Sequence, residues 1–152
     1  MFSQTVEYAL RAAVWLGYQP DQPLTTQQLA RATQVPAGYL SKVLQSLGRA
    51  GLVRSQRGVH GGFTLACDPQ ELTVLAVVNA VDPIERIRHC PLGLKAHADR
   101  LCPLHERLDG VLAQIEEVFG QTTIAELLAE PGREAPLCDV TVEGEPAGKT
   151  GR

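Results

Sequence analysis

The chain has 152 residues, enough for one compact core with an extension and too few for two independent enzymatic domains. Its net charge of -3 conceals an asymmetry: residues 1–66 carry six Lys or Arg and two acids, a net charge of +4, whereas the other 86 residues carry eight and fifteen, a net charge of -7. Unless this segregation of charge arises by chance, the positive net charge of the first half favours binding to a polyanion such as nucleic acid. The negative net charge of the whole chain does not exclude such binding, because binding depends on the local field.

The sequence predicts a cytoplasmic protein with no membrane partner. No apolar stretch reaches the roughly 18 to 20 residues that span a bilayer, and residues 1–17 lack the basic start and unbroken apolar run of a signal peptide. The four cysteines are separated by 22, 11 and 35 residues, a spacing unlike a disulfide framework. We therefore consider metal binding and redox chemistry as candidate roles of the cysteines.

The first 33 residues predict two helices. Apolar residues recur at spacings of three and four over 3–17, and Glu7 stands four residues before Arg11 as a favourable surface pair. Thr25 and Gln28 then form a capping box, which starts a second, short helix.

The next segment predicts a helix-turn-helix followed by a hairpin. Pro36 suits the first position of a third helix, which we expect Gly51 to end, and two short helices joined by a tight turn are typical of this motif. Strands over 52–56 and 63–66 flank a turn over 57–62. Because that turn holds three glycines, its backbone can approach a phosphate backbone closely, as the wing of a winged helix does.

The second half predicts two further helices and a seam for another chain. Thr73 caps an apolar helix that ends near Asp82, and Pro103 opens the longest helix, which we expect Gly120 to stop. The apolar residues of the longest helix alternate between spacings of four and three, as in a coiled coil, so a second copy of the chain is their natural cover. The seam consists of Leu104, Leu108, Val111, Ile115 and Val118, widened by Leu112 and Phe119.

Together these elements predict a mainly α fold, a winged helix-turn-helix with a two-stranded wing and a long C-terminal dimerisation helix. A capping box at Thr123 adds a short final helix. We divide the chain into a DNA-binding domain (1–82), a sensor loop (83–102), the dimerisation helix with the short final helix (103–130) and a flexible tail (131–152).

The helix-turn-helix indicates which residues would meet double-stranded DNA. Its second helix enters the major groove, where Lys42 suits a guanine or a phosphate and Tyr39 and Ser41 suit phosphates. Arg57 and His60 belong to the glycine-rich wing, which suits a narrow minor groove. For each residue the alternative is an ordinary solvated surface. A two-fold dimer would require a palindromic operator, with half-sites roughly 34 Å apart or slightly more.

Two motifs carry a resemblance to the IscR/NsrR-type regulators, or Rrf family, over about residues 1–130. They are Arg-Gly-x-x-Gly-Gly-Phe at 57–63 and the pair Cys90-Pro-Leu and Cys102-Pro-Leu-His. In that family many members bind an iron-sulfur cluster through three cysteines with five residues between neighbours. Cys90 and Cys102 match the first and third, but Ala96 occupies the middle position, so the three-thiolate set is incomplete.

The resemblance implies a mixed-ligand cluster, [2Fe-2S] by type, because imidazole can replace thiolate on iron, as in Rieske centres. His105 matches a histidine ligand of the IscR branch, and His97 lies beside the vacant cysteine position. Some relatives take an acidic ligand from the first helix of the other subunit, where Glu7 stands here. His89 is an outside candidate.

Several alternatives remain open for the cysteines. Cys67 and Cys138 are typical of small buried residues without a chemical role. A cluster-free regulator would sense thiol oxidation at Cys90 and Cys102. A regulator that binds the iron-sulfur cluster would instead sense redox state or nitric oxide. If the protein were an electron-transfer or Cys-His catalytic protein, the wing and the basic first half would be unexplained. The sequence also shows no recognisable spacing of a nucleophile, a base and a group that orients the base, so we expect no enzyme.

Overall fold

The computed structural model describes residues 2–130, 134 and 136–137, and in this part of the chain six α-helices accompany one hairpin. The elements are α1 (Gln4–Tyr18), α2 (Thr26–Thr33), α3 (Ala37–Arg49), β1 (Val53–Gln56), β2 (Gly62–Leu65), α4 (Val74–Val81), a 3-10 turn (Lys95–His97), α5 (Pro103–Gln121) and α6 (Ile124–Ala129). The predicted winged helix-turn-helix is confirmed. None of the described helices is long and apolar enough to cross a bilayer.

The first three helices pack around one core because each buries a single apolar face. Leu16 of α1, Leu29 of α2 and Leu44 of α3 are completely shielded from solvent. The predicted capping box of α2 is present, with the Thr25 hydroxyl accepting from the Gln28 amide and the Gln28 side chain accepting from the Thr25 amide. Only three residues separate the end of α2 from the start of α3.

The wing is attached to the helices through backbone hydrogen bonds. β1 and β2 are antiparallel, and Val53 pairs with Leu65 at the base of the hairpin. The Phe63 amide donates to the Leu24 carbonyl at 2.7 Å, and the Leu24 amide donates to the Phe63 carbonyl at 3.0 Å. Gly62 has φ 151°, and a Cβ there would lie 2.5 Å from the carbonyl carbon of Leu24. Only glycine therefore allows this close approach of the wing to Leu24, two residues before α2.

The chain after α5 returns to the core. Ile124 of α6 is completely buried, and its amide donates to the Leu72 carbonyl at 2.8 Å. The Val74 amide donates to the Thr122 carbonyl at 2.9 Å, which joins the start of α4 to the end of α5. α5 itself packs on α4, and α4 packs on α1, yet α5 buries none of its residues completely. Most of α5 is therefore left on the outside of the protomer.

Several predicted element ends were wrong by one residue, among them those of α1, which spans Gln4–Tyr18 rather than residues 3–17. Pro36 precedes α3 as its N-cap, so the helix begins one residue later than expected. α5 continues through Gly120 to Gln121, because one glycine in a helix costs only about 1 kcal/mol, which the packing of α5 on α4 outweighs. β1 begins at Val53 rather than at Leu52, and β2 spans Gly62–Leu65 rather than residues 63–66. The tail predicted over 131–152 lies almost entirely outside the described residues.

Candidate functional site

The outer face of α3 carries the residues that the sequence analysis assigned to the major groove. Tyr39, Ser41 and Lys42 are all exposed, whereas Leu40, Val43, Leu44 and Leu47 form the buried face. The Ser41 hydroxyl donates to the Ala37 carbonyl at 3.0 Å, which directs it along the helix. The exposed surface of α3 is therefore open over its first two turns, as a groove-reading helix requires.

The α3 surface continues onto α1, a feature that the sequence analysis missed. The ring of Tyr8 lies 6.1 Å from that of Tyr39, and the Arg11 guanidinium lies 6.0 Å from the centre of the Tyr8 ring. The predicted pair of Glu7 and Arg11 is confirmed at 2.9 Å, and Arg11 also donates to the Thr33 carbonyl at 3.4 Å. Glu7, expected as a ligand from the other subunit, thus lies in an exposed ion pair on α1.

The wing loop over 57–61 is exposed at four of its five residues, 57–60. Arg57 and His60 are exposed, and Val59 between them is 97% exposed. The Gly61 amide donates to the Gly58 carbonyl at 3.0 Å, and Gly58 has φ 108°, so a glycine turn shapes the tip. Arg57 and His60 are therefore carried on a narrow projection that can enter a groove.

The sensor loop holds two separate Cys-His pairs. The Sγ of Cys90 lies 3.6 Å from Nδ1 of His97, and the Sγ of Cys102 lies 3.3 Å from Nδ1 of His105. All four side chains are half-buried, whereas His89 and Ala96 are exposed. The structure thus brings each expected cysteine to an expected histidine. The sequence analysis named His97 as a candidate ligand because it lies beside Ala96, the vacant cysteine position. Nothing in the sequence showed which cysteine His97 would contact.

Local backbone geometry forms each pair. Gly93 has φ 62°, and its amide donates to the Cys90 carbonyl at 2.9 Å, which closes a turn around Cys90. Hydrogen bonds from the Leu94 amide, from His97 and from the Leu92 amide lower the pKa of Cys90 to about 7. Stabilisation of the charged sulfur by these donors is the physical cause.

The second pair is set by the start of α5. Cys102 is the N-cap of that helix, Pro103 is its first residue, and His105 follows in the same turn. Residues three apart in a helix lie on the same side, so the contact of Cys102 with His105 follows from the helix start. Cys67, in contrast, has its pKa raised by burial and then by the nearby Glu71 and Asp68. Cys138 lies outside the described residues.

An ion-pair clamp fixes the beginning of the sensor loop to α5. The Arg86 guanidinium donates to both carboxylate oxygens of Asp109, at 2.7 and 2.6 Å, and to Glu116 at 3.1 Å. The Ile87 amide donates to Asp109 at 2.9 Å, and the hydrogen bonds from Arg86 lower the pKa of Asp109. Since Cys102 caps α5, both ends of the segment 86–102 are held by that helix.

The donor set fits the kind of group that the resemblance implied only in part. Two thiol sulfurs and two imidazole nitrogens are suitable ligands for iron. Over residues 2–130, 134 and 136–137, however, no three or more His, Cys, Asp or Glu side chains come together as a site for one metal ion. The described residues therefore offer two separate Cys-His pairs.

The outer face of α5 carries an apolar stripe. Its members are Leu104 (63% exposed), Leu108 (47%), Val111 (54%) and Val118 (58%). Ile115, between them, is half-buried, and Phe119 turns inward, with its ring 5.2 Å from that of Phe2. Side chains of this size spaced by four, three and seven residues lie along one line of a helix.

A helix-turn-helix with an open second helix and a basic, glycine-rich wing defines the class of winged-helix DNA-binding transcription regulators. Within that class, the chain belongs to the Rrf2 family, whose profile, described as "Iron-dependent Transcriptional regulator", matches residues 2–130.

Relatives and solved structures agree with this assignment. The HTH-type transcriptional regulator NsrR of Geobacillus kaustophilus is 30% identical, covering 82% of this chain and 86% of its own length. The NsrR of Halalkalibacterium halodurans is 31% identical over 80% of this chain and 86% of its own. Among solved structures, T. potens IscR has a TM-score of 0.71 and 25% identity, with 84% and 85% coverage. CymR, the global cysteine regulator of B. subtilis, has a TM-score of 0.71 at 23% identity, covering 84% and 95%, which supports the fold alone.

Proposed function

We propose that the chain acts in the cytoplasm as a homodimer that binds a palindromic operator, with an affinity set by a [2Fe-2S] cluster in the sensor loop. Redox change or nitric oxide is the signal. The observation that carries the proposal is the presence of two Cys-His pairs, at 3.6 and 3.3 Å, on a loop whose two ends are held by α5. The description of the matching profile, "Iron-dependent Transcriptional regulator", supports iron as the metal.

The dimer part of the proposal rests on the stripe of α5. Four large apolar side chains, each about half exposed or more, form one contiguous line along α5. Exposure of this apolar surface to water costs free energy, and such a stripe is typical of an interface. The same helix supplies Cys102 and His105 at its start, so pairing of α5 with its copy would place two sensor loops on one assembly. Two winged domains would then face two half-sites of the operator.

In the DNA part of the proposal, Arg57 and His60 enter the minor groove from the wing, and Tyr39, Ser41 and Lys42 meet the major groove. We expect Arg57→Ala to weaken operator binding about tenfold or more, because each protomer loses a charged contact worth about 1–3 kcal/mol. The slope of log affinity against log salt should also become shallower. Fluorescence anisotropy over a salt series measures both.

The matched control is Arg100→Ala, which removes the same charge from an exposed position of the sensor loop. This variant should bind the operator like the unmodified protein. An Arg57→Ala protein with unchanged affinity and salt slope would remove the wing arginine from the interface.

For the sensor, Cys90 and Cys102 would supply sulfur, and His97 and His105 nitrogen, to the cluster. When bound, the cluster would supply a redox-active iron centre. His97, rather than the Glu7 of a partner, is the fourth ligand that we favour, because His97 already contacts Cys90 while Glu7 pairs with Arg11.

The chain's own contacts offer a route from the loop to the DNA-binding elements. The Arg86 clamp and the Cys102 cap fix the loop to α5, α5 packs on α4, and α4 packs on α1, which carries the ring contact to Tyr39. A change in the sensor loop would therefore move α5 first. The movement would then reach the exposed face of α3 through the contacts of α5 with α4 and of α4 with α1. Couplings of this kind amount to about 1–3 kcal/mol, or roughly 5- to 150-fold in affinity.

The test of the proposed function is Cys102→Ala. The anaerobically reconstituted variant should lose visible absorption together with its iron and sulfide, and its operator affinity should change within that range. Cys67→Ala is the matched control, because Cys67 is a half-buried cysteine outside the loop, and it should keep both properties. Full iron and sulfide in the Cys102→Ala protein, or none in the unmodified protein, would overturn the cluster.

A cluster-free regulator that senses thiol oxidation at Cys90 and Cys102 is the second candidate, favoured by the lowered pKa of Cys90. With a pKa of about 7, about half of the Cys90 thiol is ionised at pH 7, and the thiolate is lost as the pH falls through that value. Alkylation of the metal-free protein by iodoacetamide should therefore reach half its maximal rate near pH 7 at Cys90. At Cys67, whose pKa is raised, the midpoint should lie above pH 9.0. Peptide mass spectrometry separates the two sites, and identical pH profiles would contradict an activated Cys90.

A further inference from the structure

A cavity at the base of the wing lies beside the link between α1 and α2. Its volume is about 350 Å³, and it is lined by Pro20, Asp21, Arg54 and residues 65–69, none of which belongs to the sensor loop or to α3. Sites for small molecules have volumes of roughly 300 to 1,000 Å³, so the cavity has room for one small ligand. Because Asp21 and Arg54 are exposed, such a ligand can enter from solvent.

Charges of opposite sign line this cavity without neutralising each other. Arg54 contributes a guanidinium, and Asp21 and Asp68 contribute carboxylates. Among the residues that the structure describes, neither carboxylate forms an ion pair with Arg54, and the Asp21 side chain accepts no hydrogen bond. The cavity therefore keeps a cation and two anions apart, which leaves them available to a ligand that carries both complementary charges.

The position of the Arg54 side chain is fixed by the wing itself. Its Nε donates to the hydroxyl of Thr64, the cross-strand partner of Arg54, at 3.1 Å, and Thr64 is buried. Within the described part of the chain the two terminal nitrogens of Arg54 have no partner. Parallel N–H donors of a guanidinium match the two oxygens of a carboxylate, so Arg54 is suited to bind one.

The rest of the lining is uncharged. Leu65 is buried, and Pro20 and Pro69 are half-buried, so these residues give the cavity an apolar wall. Burial, followed by two nearby carboxylates, raises the pKa of Cys67, so its thiol stays protonated at neutral pH and adds no charge. A ligand that fits this lining carries a carboxylate, an ammonium group and an apolar part.

We infer that this cavity binds a free α-amino acid with an apolar side chain. Its carboxylate would pair with Arg54, its ammonium group with Asp21 and Asp68, and its side chain would lie against Leu65. A ligand with only one of the two charges would leave part of the lining without a partner.

The place of the cavity in the fold connects this ligand to the wing. Asp21 belongs to the link between α1 and α2, whereas Arg54 belongs to β1. A ligand held by both would tie the wing to the helices, in addition to the existing contact of Leu24 with Phe63. Binding of the amino acid should therefore change operator affinity. This consequence rests on the proposed role of the wing in DNA binding, whereas the binding of the amino acid does not.

Isothermal titration calorimetry of the full-length protein with each apolar L-α-amino acid tests the inference. The amino acid that binds most tightly is then compared with the matching amine, which lacks the carboxylate, and with the matching carboxylic acid, which lacks the ammonium group. Loss of either charge should weaken binding about tenfold or more, because charged hydrogen bonds are lost. No binding by any of these amino acids, or an analogue that binds as tightly as the amino acid, would overturn the inference.

Two substitutions test which residue binds which charge. Arg54→Gln should lower the preference for the amino acid over the amine, and Asp21→Asn should lower the preference for the amino acid over the carboxylic acid. Arg100→Gln and Asp99→Asn are the matched controls, because they make the same charge changes at exposed positions of the sensor loop, and both should keep the preferences of the unmodified protein. Unchanged preferences in Arg54→Gln or Asp21→Asn, or equal weakening of all three ligands, would overturn the assignment of that residue.

Fluorescence anisotropy with the operator, with and without the saturating amino acid, tests the connection to the wing. The two affinities should differ by about 5- to 150-fold, the range of coupling between two sites on one protein. Equal affinities, with binding of the amino acid confirmed by calorimetry, would overturn this connection and leave the amino-acid site standing.

Discussion

Val111→Glu is expected to convert the proposed dimer into a monomer and to lower operator affinity by about 10²- to 10⁴-fold. Val111 is 54% exposed in the protomer and lies in the middle of the α5 stripe, between Leu108 and Val118. A carboxylate at this position would be removed from water opposite an apolar side chain with no counter-charge, which costs several kcal/mol per chain. The loss of operator affinity follows because two linked half-site contacts become one.

Sedimentation velocity measures the state of association, and anisotropy measures the operator affinity of the same samples. Gly110→Glu is the matched control. It introduces the same charge one residue earlier, about 100° around the helix from Val111, where a Cβ meets nothing within 4 Å. That control should remain dimeric. A soluble Val111→Glu dimer would remove α5 from the interface.

Gly62→Ala is expected to lower the free energy of unfolding by about 3 kcal/mol, the size of strain plus a lost backbone contact. Gly62 has φ 151°, and a Cβ at this position would lie 2.5 to 2.8 Å from the backbone of Leu24. Leu24 cannot retreat without losing its two hydrogen bonds to Phe63, at 2.7 and 3.0 Å. The wing should therefore detach from Leu24, and operator binding should weaken with it.

Thermal unfolding followed by circular dichroism should show a Tm lowered by roughly 10 °C for a domain of this size. Gly48→Ala serves as the control, since Gly48 is an exposed position of α3 where a Cβ has only an ordinary contact of 3.9 Å with Val53. Alanine in a helix should raise the stability by about 0.5–1 kcal/mol. A Gly62→Ala protein with an unchanged Tm would mean that the wing and Leu24 separate without cost.

Much of the fold was predicted from local pattern because its causes are local. The capping boxes at Thr25 and Thr123 involve residues three apart, and both occur in the structure as expected. The buried face of α3 and the exposed face of the proposed α5 seam follow from helical periodicity. The end of α5 was predicted wrongly because the packing of α5 on α4, which outweighs the small helical cost of Gly120, involves a distant part of the chain.

The candidate site divides in the same way. The sequence by itself determined the winged helix-turn-helix, the basic wing, the cysteines of the sensor loop and the contact of Cys102 with His105, since three residues in a helix start bring them together. Only the tertiary structure decided that His97 meets Cys90, because the loop must first close its turn at Gly93. The ion pair of Arg86 with Asp109 was also decided by the tertiary structure alone, because these two residues are 23 positions apart in the sequence. Such contacts depend on how the loop packs against α5, and packing brings together residues that no short-range pattern relates.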